Sequence, residues 1–373
     1  MAPRRTILDL MRDSPLVALR GRYEESLADR LWGKLELALP GAMKDRVALK
    51  IVEDAEARGQ LAPGATIVES SSGTLAEGLA RVGAVKGYKV IIVTDPRIDA
   101  LTKTKLLALG AAVDVVDAYH PTGGWQLSRL ARLAQVLAEN PGAYWASQYD
   151  NPSNALAYEE RMAGELIGDL GGGIAALVGS VGSGGSLCGT ARALKREIPG
   201  LRVVAVDAVG SALFHQPVAR RLQSGHGNNV VPGNIDYAVI DEVHWLSDGE
   251  AFAGCRQLAR REAVVAGGSS GAVYVVASWI ARTLKPGEHV VAILPDRGDR
   301  YAETIFSDAY LAEHGLLGQE AAAEPRRIEY GAETVHRWSC ASLPREDAAA
   351  YHAAAAPRTI DLARELGLVA TTT

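Results

Sequence analysis

Short runs rich in Val, Ile and Ala recur along the chain, separated by stretches whose apolar residues return every three or four positions. Residues 66–69, 88–93 and 112–116 have the β-branched content of strands, and residues 74–82 and 99–109 between them repeat with a helical period. Strand and helix alternating in this order predict βαβ units and a parallel sheet. A second series starts at Ile174, where 175–178, 202–206 and 289–294 are nearly unbroken apolar runs, the pattern of strands buried on both faces. The expected fold is therefore α/β, with two open, mostly parallel twisted sheets flanked by helices and a cleft between them. The turn-rich Tyr149-Asp150-Asn151-Pro152-Ser153-Asn154 suits a hinge.

Length and composition agree with this picture. At 373 residues the chain is too long for one small core and suits two domains in contact. Hydrophobic residues make up 48%, and no apolar stretch is long enough to span a bilayer, which points to a soluble globular protein without a membrane partner. Residues 1–13 lack a secretory apolar core, so a cytoplasmic location is expected. Cys188, Cys255 and Cys340 lie far apart without a CxxC pair, which speaks against structural zinc and a disulfide framework, and no metal site is expected. A net charge of -5 with no basic stripe argues against nucleic acid as a partner.

Four segments carry chemistry. Leu39-Pro40-Gly41-Ala42-Met43-Lys44-Asp45-Arg46 puts one lysine at the mouth of a helix. A lysine among apolar neighbours and backbone amides loses hydration, which frees its amine to form a Schiff base with an aldehyde cofactor; a solvated helix-capping lysine is the alternative. Glu69-Ser70-Ser71-Ser72-Gly73-Thr74 opens a second helix. Gly179-Ser180-Val181-Gly182-Ser183-Gly184-Gly185-Ser186 leads from a strand into a third, as either an anion cradle of backbone N–H groups or a tight turn. It lacks the Gly-Lys-Ser/Thr of a Walker loop and the spacing of a dinucleotide fingerprint. In Ala266-Gly267-Gly268-Ser269-Ser270-Gly271, Ser269 offers either a neutral hydroxyl to a pyridine nitrogen or a plain helix cap. Cys188, with nothing beside it in sequence to lower its pKa, reads as a packing residue.

In this order the segments resemble the cysteine synthase and cystathionine beta-synthase family, the β-family of pyridoxal-phosphate enzymes, over roughly residues 5 to 315. Pro40 to Arg46 is similar to the family's Pro-x-Gly-Ser-x-Lys-Asp-Arg motif. The resemblance implies the tryptophan synthase β-like fold (fold type II), pyridoxal 5′-phosphate as cofactor, Lys44 as its Schiff-base lysine and a homodimer. It further implies that Ser71, Ser72, Gly73 and Gln148 grip a substrate α-carboxylate. Gly182, Ser183, Gly184, Gly185 and Ser186 would cradle the cofactor phosphate, and Ser269 would face its pyridine nitrogen. Within the family, Thr94-Asp95-Pro96-Arg97, Gly123-Gly124-Trp125-Gln126-Leu127-Ser128-Arg129, Tyr144 to Tyr149 and Leu294 to Tyr301 look most like the synthases that start 2,3-diaminopropionate formation. That likeness implies O-phosphoserine as donor, an amino-acid nucleophile, β-replacement through an α-aminoacrylate, and Arg129 and Tyr149 as substrate-binding residues. A sulfide-using cysteine synthase, a related lyase and a catalytically idle scaffold or regulatory homologue are the competing readings.

Thr74 stands where most relatives carry an asparagine that reaches the cofactor's 3′-oxygen, and its hydroxyl can still hydrogen-bond an oxygen with a shorter reach. The expected division is a smaller substrate-gripping domain over 45–152, a larger cofactor-anchoring domain over 1–44 and 153–318, and an extension over 319–373. In the extension, Ala321-Ala322-Ala323 and Ala353-Ala354-Ala355-Ala356 bracket an irregular stretch, and 359–368 reads as a short amphipathic helix. Covering the active-site mouth, joining a dimer interface or remaining mobile are all open to it.

Overall fold

A computed structural model describes residues 4–23, 25–120, 124–344 and 358–368. Its strands are β1 Leu16–Ala18, β2 Leu31–Lys34, β3 Thr66–Ser70, β4 Lys89–Thr94, β5 Ala112–Val115, β6 Tyr144–Trp145, β7 Ile174–Ser180, β8 Arg202–Ala208, β9 Glu242–Leu246, β10 His289–Ile293, β11 Arg326–Arg327 and β12 Ser339–Ser342. They form an eight-stranded sheet in the order β1-β2-β10-β7-β8-β9-β12-β11 and a four-stranded sheet in the order β5-β4-β3-β6. Every pairing in the smaller sheet is parallel. So are the central pairings of the larger one, from β2 through β9; β1 runs antiparallel to β2 and β12 antiparallel to β9, while β11 pairs parallel with β12.

All six predicted strand runs are strands, and β8 and β9 are buried along nearly their whole length because helices cover both faces of the large sheet. The helix expected at 74–82 runs on as Thr74–Lys86 until Gly87 closes it in the left-handed conformation at φ 81°. The one expected at 99–109 spans Ala100–Ala108, with the Asp99 side chain accepting the Thr102 N–H as its cap.

Strands β1, β2, β6, β9, β11 and β12 have no counterpart in the sequence pattern. Most are two to four residues long and lie at sheet edges or ends. In β9, Glu242 and His244 break the apolar run, yet they satisfy one another at 2.7 Å while the Trp338 indole donates to the second His244 nitrogen at 3.0 Å. That partnership is invisible until β12 is placed beside β9.

The extension is part of the fold. Its β12 pairs with β9, and the Trp338 N–H donates to the Glu250 carboxylate at 2.8 Å. The C-terminal helix Thr359–Glu365 lies on the other layer, where Leu362, Leu366 and Leu368 pack against a cluster that includes Val68, Val93 and Leu133 beneath the small sheet. Its first residue, Thr359, donates to Asp150 of the turn-rich 149–154 segment at 2.7 Å. The Ala353 to Ala356 run and Gly123 lie outside the described residues.

Candidate active site

The ends of β3, β7 and β10 open toward one cavity of about 200 Å³ between the two layers, as expected where helices begin at the carboxyl ends of parallel strands. It is lined by Lys44, Ser71, Ser72, Gly73, Thr74, Arg129, Gln148, Tyr149, Gly182, Ser183, Gly184, Ser186 and Ser269. Thirteen of the fourteen residues singled out from the sequence thus meet in one place; Gly185 is not among the lining residues.

The three residues of the lysine motif separate at once. Lys44, the first residue of helix Lys44–Ala57, faces the cavity, and burial brings its ammonium down to about 8 against the upward pull of Glu36 and Asp296. Asp45 turns back to accept the Gly41 N–H at 2.6 Å and an Arg81 N–H at 2.9 Å, which fixes the turn that presents Lys44. Arg46 points the opposite way. It donates to Glu36 through Nε and Nη2 at 2.8 Å each and to Glu165 at 2.6 and 2.9 Å, while Lys34 bonds Glu165 at 2.6 Å.

Glu69 organises the neighbouring loop. Its buried carboxylate accepts the Ser70 N–H at 2.7 Å and the Gln148 N–H at 3.1 Å, so the Ser71 to Thr74 loop and the Gln148 turn hang on one side chain. Burial pushes its pKa up to about 7 despite those bonds. Arg129 reaches Asp95 at 3.1 Å and the Ser72 hydroxyl at 3.4 Å, and its Nε is buried with no hydrogen-bond partner. A guanidinium placed in this way is not a solvated surface group. Tyr149 stays a phenol, its pKa raised by burial.

The glycine loop owes its composition to what lies behind it. Gly184 has φ 86°, and a Cβ there would come within 2.8 Å of the Ile235 Cα and 2.9 Å of the Asn234 carbonyl; a Cβ on Gly185 would strike the Asn154 side chain. Close packing, and not only the approach of an anion, excludes side chains here. Asn154 also donates to the Ser183 hydroxyl at 3.0 Å and to the Gln148 carbonyl at 2.7 Å, tying the loop to the Gln148 turn. The loop then enters helix Gly185–Glu197, whose N-terminus supplies partial positive charge. Gly184→Val is therefore expected to displace the loop and weaken cofactor affinity by at least about tenfold, the equivalent of ~1.4 kcal/mol. Titration of apoprotein with cofactor checks this, and unchanged affinity would place the phosphate elsewhere.

Ser269 is no plain cap: the N-cap of helix Gly268–Ala281 is Gly267, and no side chain caps it. Cys188 is buried, and its thiol is pushed up to about 12, as befits a packing residue. Among the described residues, Glu242, His244 and Cys340 form a group of possible metal donors, but His244 is already engaged on both ring nitrogens and none of the three lines the cavity.

Several lining residues were not read from the sequence. Asp296 and Arg300 follow β10, and the segment Ser224-Gly225-His226-Gly227-Asn228 lies in the long connection between β8 and β9. The Tyr301 hydroxyl donates to Asp296 Oδ2 at 2.7 Å, while Oδ1 is buried without a partner. Arg300 crosses the cleft to Asp99 at 2.8 Å and to the Ser72 carbonyl at 3.4 Å. The Pro-Asp-Arg-Gly-Asp-Arg-Tyr stretch carried a signal in its density of charge next to a buried strand. The 224–228 segment carried only its glycines.

A desolvated lysine, an anion cradle at a helix N-terminus and a hydroxyl at the opposite wall suit an aldehyde cofactor with a phosphate arm. Residues 7–296 match the family described as pyridoxal-phosphate dependent enzyme, and the chain belongs to that family. Its cofactor is pyridoxal phosphate. The chain is 41% identical over 310 residues to N-(2-amino-2-carboxyethyl)-L-glutamate synthase of Ralstonia nicotianae, covering 83% of this chain and 91% of the relative. It is 38% identical over 312 residues to the synthase of the same name from Cupriavidus metallidurans, with coverage of 82% and 91%. Among solved structures, O-ureido-L-serine synthase superposes with TM-score 0.75 at 32% identity, over 83% of this chain and all (100%) of that one. The O-acetylserine dependent cystathionine beta-synthase from Helicobacter pylori gives TM-score 0.73 at 28% identity, over 82% and 99%. Fold type II and the cysteine synthase-like β-family are thereby settled, and the chain is a β-replacing synthase.

Proposed function

We propose that this enzyme joins an amino-acid nucleophile to the β-carbon of an O-activated L-serine, with O-phosphoserine as donor. The observation that carries the reading is Arg129, a nearly buried guanidinium with an unpartnered Nε in a cavity also lined by the Ser71-Ser72-Gly73 loop. A guanidinium beside a serine-rich loop suits a donor that carries both a phosphate and a carboxylate. The names of the two curated relatives, which describe a glutamate carrying an aminocarboxyethyl group, support an amino acid as nucleophile.

In this reading Lys44, held at low basicity by burial, anchors the cofactor and afterwards moves the α-proton. Pyridoxal phosphate, when bound, supplies the electron sink for charge developing at the substrate α-carbon. Ser71, Ser72, Gly73 and Gln148 hold the α-carboxylate, and Thr74 meets the cofactor's 3′-oxygen. Gly182, Ser183, Gly184 and Ser186 hold the phosphate; Gly185 gives the loop its clearance from Asn154. Ser269 faces the ring nitrogen. Tyr149 and Arg129 turn toward the donor's leaving group. Residues 45–152 form the mobile substrate-gripping unit, whose closure over 1–44 and 153–318 excludes water, and two copies of the chain form a dimer in the cytoplasm.

A donor and nucleophile matrix read by mass spectrometry tests the reading: O-phosphoserine and O-acetylserine, each against glutamate and sulfide. Product from O-phosphoserine and glutamate is expected; product from O-acetylserine and sulfide alone would make the protein a cysteine synthase. Arg129→Ala should lower kcat/KM for O-phosphoserine by ten- to a hundredfold, about 1.5–3 kcal/mol for a charge-assisted bond, and affect O-acetylserine less. Equal losses for both donors would remove Arg129 from the leaving-group site.

A further inference from the structure

The reaction proposed above carries a proton problem that sulfide chemistry does not. An amino acid at neutral pH arrives as an ammonium ion, and its nitrogen must lose a proton to become a nucleophile. Lys44 cannot serve, because the α-proton it has removed occupies it until that proton returns to Cα. A second base is required in the same cavity.

The charged and titratable groups lining the cavity are Lys44, Arg129, Tyr149, His226, Asp296 and Arg300. The two guanidiniums have no lone pair to offer. Tyr149 is a phenol with its pKa raised, which makes it no proton acceptor at neutral pH. Asp296 is buried and receives the Tyr301 hydroxyl on Oδ2, with Arg300, Ser269 and Lys44 beside it; its Oδ1 has no partner, so it is the competing acceptor that the test below includes.

His226 remains. It is 2% exposed, and neither ring nitrogen has a hydrogen-bond partner. A buried imidazole with both nitrogens unpaired is costly unless a ligand completes it. Its backbone runs between two cofactor anchors: a Cβ on Gly182 of the anion loop would lie 3.5 Å from the His226 Cα, and one on neighbouring Gly225 would lie 3.8 Å from the Ser269 hydroxyl. Gly225 and Gly227 flank it with φ 87° and 70°, so the histidine sits at the tip of a sharp double turn that only glycines enter freely.

We propose that His226 is the proton acceptor for the incoming amine. The proposal rests on the amino-acid nucleophile inferred above. The Cβ–O bond of the donor has by then broken, its electron pair leaving with the phosphate. One N–H proton of the incoming ammonium passes to a His226 ring nitrogen, the lone pair this frees forms the N–Cβ bond, and Lys44 returns the α-proton to Cα. No oxidant or reductant enters. Burial, and then the nearby Arg221 guanidinium, hold the imidazole pKa down at about 4, against the upward pull of the Ser224 backbone, which lies near the ring without making a hydrogen bond of good geometry. The imidazole is thus neutral with a lone pair free before substrates arrive. The carboxylates and phosphate that the substrates bring oppose Arg221 and raise its basicity when it is needed.

The test compares holoenzyme of the parent chain, His226→Gln and Asp296→Asn, with O-phosphoserine as donor and glutamate or sulfide as nucleophile, over pH 7 to 9. Glutamine keeps polarity and approximate size but accepts no proton. In His226→Gln the ratio of glutamate-derived to sulfide-derived product should fall on the order of a hundredfold at neutral pH. The residual glutamate rate should then climb about tenfold per pH unit as free amine accumulates, a slope the parent enzyme lacks. An unchanged ratio, equal loss with both nucleophiles, or a selective loss in Asp296→Asn instead would each overturn the assignment. Parent enzyme that makes no glutamate adduct at all would overturn the underlying reading, a result distinct from any of these.

Discussion

Lys44→Ala protein should fold, bind cofactor reversibly and form product at least about a thousandfold more slowly than the parent enzyme, because in the mechanism we propose one substitution removes both the covalent anchor and the group that moves the α-proton. Folding is expected to survive because Lys44 makes no ion pair among the described residues; the ion pairs of its motif belong to Asp45 and Arg46. The decisive measurement is borohydride reduction followed by peptide mass mapping. In the parent chain the cofactor's mass should be fixed on the peptide holding Lys44, and in the variant no lysine should carry it. An undiminished adduct at another lysine would remove Lys44 from the centre of the site, and full turnover without it would remove the mechanism.

The second large effect concerns stability. Arg46→Met should lower the free energy of unfolding by about 3–5 kcal/mol, because it strands Glu36, a side chain with no exposure, opposite a neutral neighbour. A buried pair is weak evidence of net stabilisation, but breaking one from a single side leaves an uncompensated charge. Denaturant midpoints at neutral pH, with and without cofactor, measure this. Restoring part of the loss with Glu36→Gln in the Arg46→Met background is the expected signature of a stranded carboxylate, and no recovery would mean that Arg46 acts through packing alone. The same arginine stands two positions from the chemical lysine in one motif, yet its work is to hold the start of helix Lys44–Ala57 against Glu165 of another helix.

Much of this was legible in the sequence for a physical reason. Parallel strands buried on both faces must be continuous apolar runs, so β3, β4, β7, β8 and β10 announce themselves, and chemistry gathers where such strands end and helices begin. Lys44, the serine loop, the glycine loop and Ser269 all lie at such junctions. What escaped depends on partners distant in the chain. The Glu242 and His244 pair makes sense only beside Trp338, nearly a hundred positions away (|i−j|=94). His226 carries no local pattern beyond two glycines, and its meaning comes from the anion loop and Ser269 on either side. The need for glycine at 185 was equally hidden, since a side chain there would strike Asn154, thirty-one positions earlier in the chain. The extension offered no long apolar run, since β11 has two residues and β12 four.

The central claim is that an amino-acid nitrogen ends up on the β-carbon of serine. It is met most directly by incubating holoenzyme with O-phosphoserine and glutamate labelled with nitrogen-15, then following phosphate release and the product by mass spectrometry and nitrogen NMR. The account predicts one phosphate released per adduct, with the label in a secondary amine joining the two carbon skeletons. Phosphate released without a labelled adduct, or an adduct lacking the label, would contradict it.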